Sequence, residues 1–263
     1  MSAYRTVHGV NSAAAISEVA QALRKARRVV ALTGAGLSAE SGIPTFRAPG
    51  GLWRIFSSQE LATPEAFARN SRLVWEWYDR RRSVIRAAGP NPGHEALAEI
   101  ERRLERGFTL VTQNVDGLDE RVTPPVACEE RPARARRNIL KLHGDIWTLS
   151  CVACGAEERN EEVPLPDLPP RCGCGALLRP GVVWFGEALP AGVWRRAEEA
   201  SRAAEVFLIV GTSATVYPAA GLALEARQAG ARVAVINLEP TDLNGMADWV
   251  LQGKAGEILP RLL

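Results

Sequence analysis

An α/β fold built on a parallel sheet is the architecture this sequence predicts, and three observations carry it. Apolar runs of strand length alternate with stretches of helical periodicity. Four of those runs end in small, hydroxyl or amide groups: Thr33-Gly34-Ala35-Gly36, Thr112-Gln113-Asn114, Gly211-Thr212-Ser213 and Asn237-Leu238-Glu239. Four of the five cysteines crowd between positions 151 and 174, marking a small inserted lobe. At 263 residues the chain suffices for one large domain with such an insert.

The composition is that of a globular chain, and the formal charge of +2 is too small for a general nucleic-acid binder. Two basic runs, Arg24 to Arg28 and Arg131 to Arg137, read as solvated surface. No apolar run approaches the roughly 20 residues needed to span a bilayer, and the N-terminal stretch has no charged region followed by an apolar one. A cytoplasmic monomer without membrane contact is expected.

Taken in order, residues 12 to 26 form a helix with Ile16, Val19, Ala20 and Leu23 at helical spacing after an Asn11 or Ser12 cap. Val29 to Thr33 is a buried strand that ends in the first glycine turn. There Gly34 and Gly36 let the backbone approach a ligand, and the N–H groups that follow a strand suit a pyrophosphate. The third glycine of a dinucleotide fingerprint is Ala39 here, with Gly42 further on, and no acidic residue about 20 positions later ends a second strand. The turn by itself fits a cofactor loop or an ordinary strand-to-helix turn equally well. Leu52 to Arg86 reads as helix rich in aromatic residues, a packed module beside the sheet. Within it Tyr78 and Arg81, three apart, share a face. A phenol beside a guanidinium forms a carboxylate receptor, although an exposed basic turn has the same spacing.

Asn91-Pro92-Gly93 breaks the chain before a helix from His94 to Arg106. Phe108 to Thr112 is the next strand, residues 122 to 138 an Arg- and Pro-rich loop, and Asn138 to Leu142 a short strand ending at His143, a lone histidine that suits a structural or a chemical role. Cys151-x2-Cys154, seventeen residues, and Cys172-x-Cys174 form two knuckles of a four-thiolate zinc site, closed and therefore structural. Residues 180 to 187 resume an apolar strand, followed by a helix near 190 to 204. Val206 to Val210, a helix from Ala219 to Ala229, and Val233 to Ile236 make a parallel crossover. Trp249 to Leu251 and a terminal helix after Gly253-Lys254-Ala255-Gly256 complete the chain.

Ligands bind outside the carboxyl ends of strands in open parallel sheets, so the four polar strand ends can line one crevice. Asn237 or Glu239, on a neighbouring strand, supplies a candidate for the adenosine ribose that the first turn lacks. The fold class is therefore α/β: a Rossmann-like parallel sheet with helices on both faces, plus a small zinc-ribbon and helical lobe. Residues 1–50, 90–147 and 180–263 form the first part, 51–89 and 148–179 the second.

Gly34-Ala-Gly-Leu-Ser-Ala-Glu-Ser-Gly-Ile-Pro-Thr-Phe-Arg47, Thr112-Gln-Asn-Val-Asp-Gly117, Leu142-His-Gly144, the four cysteines, Val183-Trp-Phe-Gly-Glu187, Gly211-Thr-Ser213 and Asn237 together resemble the sirtuins, NAD-dependent protein lysine deacylases. The resemblance runs from about residue 28 to the C-terminus in family order. It implies that an acyl-lysine protein substrate meets NAD, that nicotinamide leaves, and that free lysine and an O-acyl-ADP-ribose result. His143 would be the general base on a ribose hydroxyl. Asn114 and Asp116 would hold ribose and the nicotinamide carboxamide, Phe46 would cover the reacting face, and Arg47 would hold the cofactor loop. Gly34, Ala35, Gly36, Ser38, Gln113, Gly211, Thr212, Ser213, Asn237, Leu238, Glu239 and Ala255 complete the NAD site, with Ser38 through Arg47 expected as a mobile lid. Val182, Val183, Phe185 and Gly186 would offer a strand edge to the peptide. Tyr78-x-x-Arg81 resembles the mark of a bacterial, desuccinylase-like subgroup that removes acidic acyl groups such as succinyl. Asp119 stands where many sirtuins have histidine, and the basic 122–138 loop containing Cys128 is longer than expected. ADP-ribosyl transfer or NAD hydrolysis in the same pocket, and a zinc-ribbon nucleic-acid module, are the alternatives.

Overall fold

A computed structural model describes residues 13–45, 58–122 and 138–263. Helices α1 (Ala13–Lys25) and α2 (Ala35–Ala39) flank strand β1 (Val29–Thr33); helices α3 (Ser58–Leu61), α4 (Pro64–Arg69), α5 (Ser71–Ala87) and α6 (Pro92–Leu104) then lead to β2 (Phe108–Thr112). Helix α7 (Leu118–Arg121) precedes β3 (Ile139–Lys141), β4 (Gly144–Cys151), β5 (Glu157–Arg159) and β6 (Leu178–Val182). The C-terminal third alternates α8 (Ala191–Ala203), β7 (Val206–Val210), α9 (Gly221–Gln228), β8 (Arg232–Asn237), β9 (Trp249–Gln252) and α10 (Ala255–Ile258).

Six strands form one parallel sheet in the order β3-β2-β1-β7-β8-β9. Numbered within that sheet alone, the order is 3-2-1-4-5-6, the doubly wound arrangement whose direction reverses between β1 and β7. Both central strands are buried along their whole length, as strands covered on two faces must be. One face packs Ile16, Val19 and Leu23 of α1, Leu97 and Ile100 of α6, and Ile258 of α10. The other packs Ala197 of α8 and Leu222, Ala223 and Ala226 of α9. The parallel sheet with helices on both faces is thus as the sequence predicts, and the four polar strand ends emerge along one edge.

A third cluster joins Phe67 of α4 and Trp75, Tyr78 and Ile85 of α5 to Ile146 and Leu149 of β4 and Leu178 and Val182 of β6. Strands β5-β4-β6 form a separate three-stranded antiparallel sheet. Trp75 Nε1 donates to the Leu178 carbonyl at 2.8 Å. The buried Arg82 side chain donates to the Asn160 carbonyl, Asn160 Oδ1 and the Glu162 carbonyl, tying α5 to the loop beyond β5.

Several expected elements differ. The helix expected over Leu52 to Arg86 is divided within its described part, because two caps interrupt it. The Thr63 hydroxyl accepts from Ala66 N with Pro64 opening α4, and Asn70 Oδ1 accepts from Leu73 N at the start of α5. Asn91-Pro92 opens α6 rather than preceding it, with Asn91 as the cap. The strand expected over 180–187 ends at Val182, and the following residues turn back. Strand β4, unanticipated, begins directly after His143. Among the described residues, no helix is long and apolar enough to cross a membrane.

Candidate functional site

The direction reversal between β1 and β7 is closed by two glycines. Gly36 N donates to the Gly211 carbonyl at 2.7 Å, and Gly34 N donates to the Val210 carbonyl at 3.0 Å. A Cβ on Gly211, whose φ is +58°, would stand 2.2 Å from Leu37 N, and one on Gly36 would stand 2.7 Å from the Gly211 oxygen. Only glycine permits that approach at either position. The result is a narrow backbone-lined floor to a cleft of about 1250 Å³.

Polar side chains bind the neighbouring strand ends into a single wall. Thr33 and Thr112 hydroxyls pair at 2.8 Å across β1 and β2. Gln113 Nε2 donates to Thr212 Oγ1 at 3.1 Å, bridging the ends of β2 and β7. Asn114 Nδ2 donates to the Gly34 carbonyl at 3.0 Å and to Ser38 Oγ at 3.1 Å, and Ser38 Oγ donates onward to Asp116 Oδ2 at 2.8 Å. Burial pushes the Asp116 carboxyl above its ordinary value, and the hydrogen bonds from Leu118 N and Ser38 only partly offset this. Ser38 is 1% exposed and belongs to α2. Ser38, where the expected lid begins, is tied by a buried chain of hydrogen bonds to Asn114 and Asp116.

His143 follows β3 and faces the same cleft. Its Nδ1 lies 3.0 Å from the Gln113 carbonyl oxygen, which can only accept, so the Nδ1 side carries the proton and Nε2 holds the lone pair of the neutral ring. The next residue must be glycine: Gly144 has φ +78°, and a Cβ there would meet the Gly181 oxygen at 2.2 Å. The His143 carbonyl accepts from Val183 N at 2.9 Å, which joins the histidine loop to the end of β6.

Tyr78 and Arg81 lie on the cleft-facing side of α5. The Arg81 guanidinium carbon sits 4.8 Å from the centre of the Trp77 ring and 5.8 Å from that of Tyr78. Burial raises the Tyr78 hydroxyl, partly countered by Arg81, and lowers Arg81, partly countered by Tyr78 and Asp116. A positive group thus stands in a confined apolar setting in the same cleft as Asp116 and His143.

Residues 34–218, well over half of the chain, match the model of the Sir2 family. The chain belongs to the Sir2 family. It is 50% identical over 247 residues to the NAD-dependent protein deacylase 2 of Pyrobaculum aerophilum, covering 93% of each chain. A solved Sir2 homolog–NAD complex superposes with a TM-score of 0.86 at 41% identity, over 98% of this chain and 95% of that one. A solved Sir2–p53 peptide–NAD+ complex does so with a TM-score of 0.80 at 29% identity, over 94% and 96%.

In this Sir2-family chain every described residue that the sequence singled out for the NAD or substrate site borders the one cleft. Gly34, Ala35, Gly36 and Ser38 come from the β1 end, Gln113, Asn114 and Asp116 from β2, Gly211, Thr212 and Ser213 from β7, and Asn237, Leu238 and Glu239 from β8. Ala255 opens α10. Val182, Val183, Phe185 and Gly186 lie opposite them. Phe46, Arg47 and Cys128 lie outside the described residues. The four cysteines lie apart from the cleft: their Sγ atoms are all within 4.8 Å of one another, with Cys151–Cys174 at 3.5 Å and Cys154–Cys172 at 3.7 Å. A tetrahedral site with Zn–S near 2.3 Å requires sulfurs about 3.8 Å apart, so the shorter second knuckle still fits such an ion.

Three residues that the sequence reading quoted within its motifs, without a role of their own, also border the cleft. Glu40 Oε1 accepts from Gly256 N at 2.9 Å and pins the start of α10 to the end of α2. Trp184 is buried between Tyr78 and Phe67. Glu187 pairs with Arg179. The Trp-Phe-Gly-Glu run was visible, but reading it as strand hid the turn that brings Glu187 back to Arg179.

Proposed function

We propose that this sirtuin-type NAD-dependent deacylase acts on acyl-lysine side chains of proteins with a preference for acidic acyl groups such as succinyl, giving nicotinamide, free lysine and an O-acyl-ADP-ribose. The observation that carries this reading is the single cleft that Tyr78 and Arg81 share with His143, Asn114 and the glycine floor. NAD, as co-substrate, supplies the ribose that receives the acyl group and the nicotinamide that departs. The backbone N–H groups after β1 and the hydroxyls of Thr212 and Ser213 receive phosphates and ribose, and Asn237 or Glu239 takes the adenosine hydroxyls. Phe46 and Arg47 belong to the same NAD site.

His143 acts through Nε2 as general base on a ribose hydroxyl, the tautomer being set by its Nδ1 contact to Gln113. Asn114, Ser38 and Asp116 form one hydrogen-bonded chain, so Asn114 and Asp116 meet the ribose and carboxamide already oriented. A substrate peptide lies against Val182, Val183, Phe185 and Gly186, at the end of β6 and along the turn that follows it. At the acyl end a carboxylate gains a two-pronged, charge-assisted contact from Arg81 and a hydrogen bond from Tyr78, whereas an acetyl group gains neither. The four cysteines hold one structural zinc that fixes the β4–β6 sheet, and the helices of residues 51–89 together with residues 148–179 form the small lobe beside the NAD-binding part.

A panel of acetyl-, succinyl- and fatty-acyl-lysine peptides with NAD, followed by product masses, tests the reading. Stoichiometric nicotinamide and O-acyl-ADP-ribose, with the higher kcat/KM on succinyl-lysine, is the expected result. Equal efficiency on succinyl and acetyl peptides refutes the acidic-acyl preference. ADP-ribose recovered on protein, or free without acyl loss, assigns the pocket to transfer or hydrolysis instead.

A further inference from the structure

Tyr78 makes a contact that its three-residue spacing from Arg81 does not require. Its Oη accepts a hydrogen bond from Trp184 Nε1 at 3.0 Å, and both side chains are 3% exposed. An indole N–H can only donate. The phenol oxygen is therefore the acceptor on that side, and the phenolic proton has to point elsewhere. Tyr78 borders the cleft beside Arg81, so an occupant of the acyl end is a recipient for it.

Trp184 is itself held from several directions. The Arg179 guanidinium lies 3.5 Å from the centre of its ring, and the Phe67 ring centre is 5.3 Å away. The same guanidinium forks onto Glu187 at 2.5 and 2.8 Å and reaches the Val182 carbonyl at 3.0 Å. Glu187 Oε2 in turn accepts from Trp184 N at 2.7 Å. The residue 183–187 turn is thus a closed clamp with the indole as its jaw, and a half-buried two-pronged ion pair gives that jaw one orientation.

We propose that Trp184, held by the Arg179–Glu187 clamp, is a specificity-positioning residue that fixes the Tyr78 hydroxyl as acceptor on its indole side and so turns the phenolic proton toward a carboxylate on the acyl chain. This inference rests on the acidic-acyl reading given above. An acetyl group carries no second anion to receive that proton, so loss of the indole N–H weighs more heavily on acidic acyl substrates.

The test compares kcat and KM for succinyl- and acetyl-lysine peptides in the intact enzyme, Trp184→Phe, Tyr78→Phe and the double variant. Phenylalanine keeps a smaller aromatic ring against Arg179 and Phe67 and removes the donor together with part of the buried ring; the acetyl peptide, which feels the same loss of packing, is the internal reference. The succinyl-to-acetyl ratio of kcat/KM falls about three- to tenfold in Trp184→Phe, chiefly through KM for the succinyl peptide. Because Trp184 acts through the hydroxyl, the double variant shows the ratio of Tyr78→Phe alone. An unchanged ratio in Trp184→Phe, or independent losses that multiply in the double variant, overturns the positioning role while leaving the acidic-acyl preference intact. An intact enzyme with no preference overturns both. If Trp184→Phe does not fold, Arg179→Lys keeps a charge opposite Glu187 but loses the planar stack, and its ratio falls in the same direction; an unchanged ratio there overturns the proposal.

Discussion

The glycine pair that closes the floor of the cleft gives the sharpest physical test. In Gly36→Ala the new Cβ stands 2.7 Å from the Gly211 oxygen and 2.8 Å from Gly211 Cα, and ordinary contact begins at 3.4 Å. Both atoms are backbone, so no side chain can swing aside. The two loops must part by about 0.7 Å, which stretches the Gly36 N–Gly211 O bond from 2.7 Å to roughly 3.4 Å, beyond useful geometry. Overpacking costs roughly 1–3 kcal/mol and the weakened hydrogen bond about 1 kcal/mol more. For a chain of this size, a loss of about 2–4 kcal/mol lowers Tm by roughly 5–15 °C. A parted cradle also loses aim on the phosphates, so affinity for NAD and ADP-ribose by titration calorimetry falls about tenfold. Gly230→Ala, away from the cleft, is the control: its φ of +101° carries strain, but nothing lies within 4 Å of its Cβ, so it costs about 1 kcal/mol and leaves affinity unchanged. A Gly36→Ala protein with wild-type Tm and wild-type ADP-ribose affinity refutes the idea that close approach sets the floor.

Four further outcomes are expected. Arg81→Met lowers kcat/KM on succinyl-lysine by about 10- to 100-fold, the worth of a lost charge-assisted contact, and so narrows or reverses the gap to acetyl-lysine; parallel loss on both peptides removes Arg81 from acyl recognition. His143→Asn lowers deacylation at least about 100-fold with ADP-ribose affinity kept, as expected when only the base is lost, and retained turnover would assign the base elsewhere. Cys172→Ser brings bound zinc, measured by native mass spectrometry, from about one per chain to none, with a lower Tm. Burial alone would raise Glu187, but Arg179 and Trp184 N hold its carboxyl below the ordinary 4.5. The clamp's stabilisation is therefore complete above pH 4.5 and is lost as pH falls through the lower folded value. Glu187→Gln costs on the order of 2 kcal/mol, or about 4–8 °C in Tm, at neutral pH. That difference from wild type shrinks in melts as pH falls below 4.5; a constant difference across pH shows that charge is not what holds the clamp.

What was legible in the sequence is what local pattern and strand direction determine. Once β1, β2, β7 and β8 run parallel, their polar ends must share one edge, and Gly34, Asn114, Thr212 and Asn237 meet there although far apart in the chain. The zinc-type cluster was legible for a related reason. Each knuckle is local, and only the meeting of two knuckles is long-range. Caps such as Thr63 before Pro64 and Asn70 before Ser71 were present as signals, but a continuous run of aromatic and apolar positions outweighed them in the reading of one long helix.

Contacts made by the far end of a side chain on a distant partner stayed hidden, and these are the ones that hold the site in shape. Nothing near Ser38 indicates that its hydroxyl accepts from Asn114 and donates to Asp116, which ties the start of the expected lid to the wall of the cleft. Nothing near Trp184 points to Tyr78, 106 positions away. Both are buried polar contacts between segments that the sheet topology brings together, and in each the donor and acceptor roles are forced by chemistry. A cleft assembled this way has its polar side chains ordered before any ligand arrives: the hydrogen bonds that orient His143, Asn114 and Tyr78 are made within the protein, so binding does not have to supply that order.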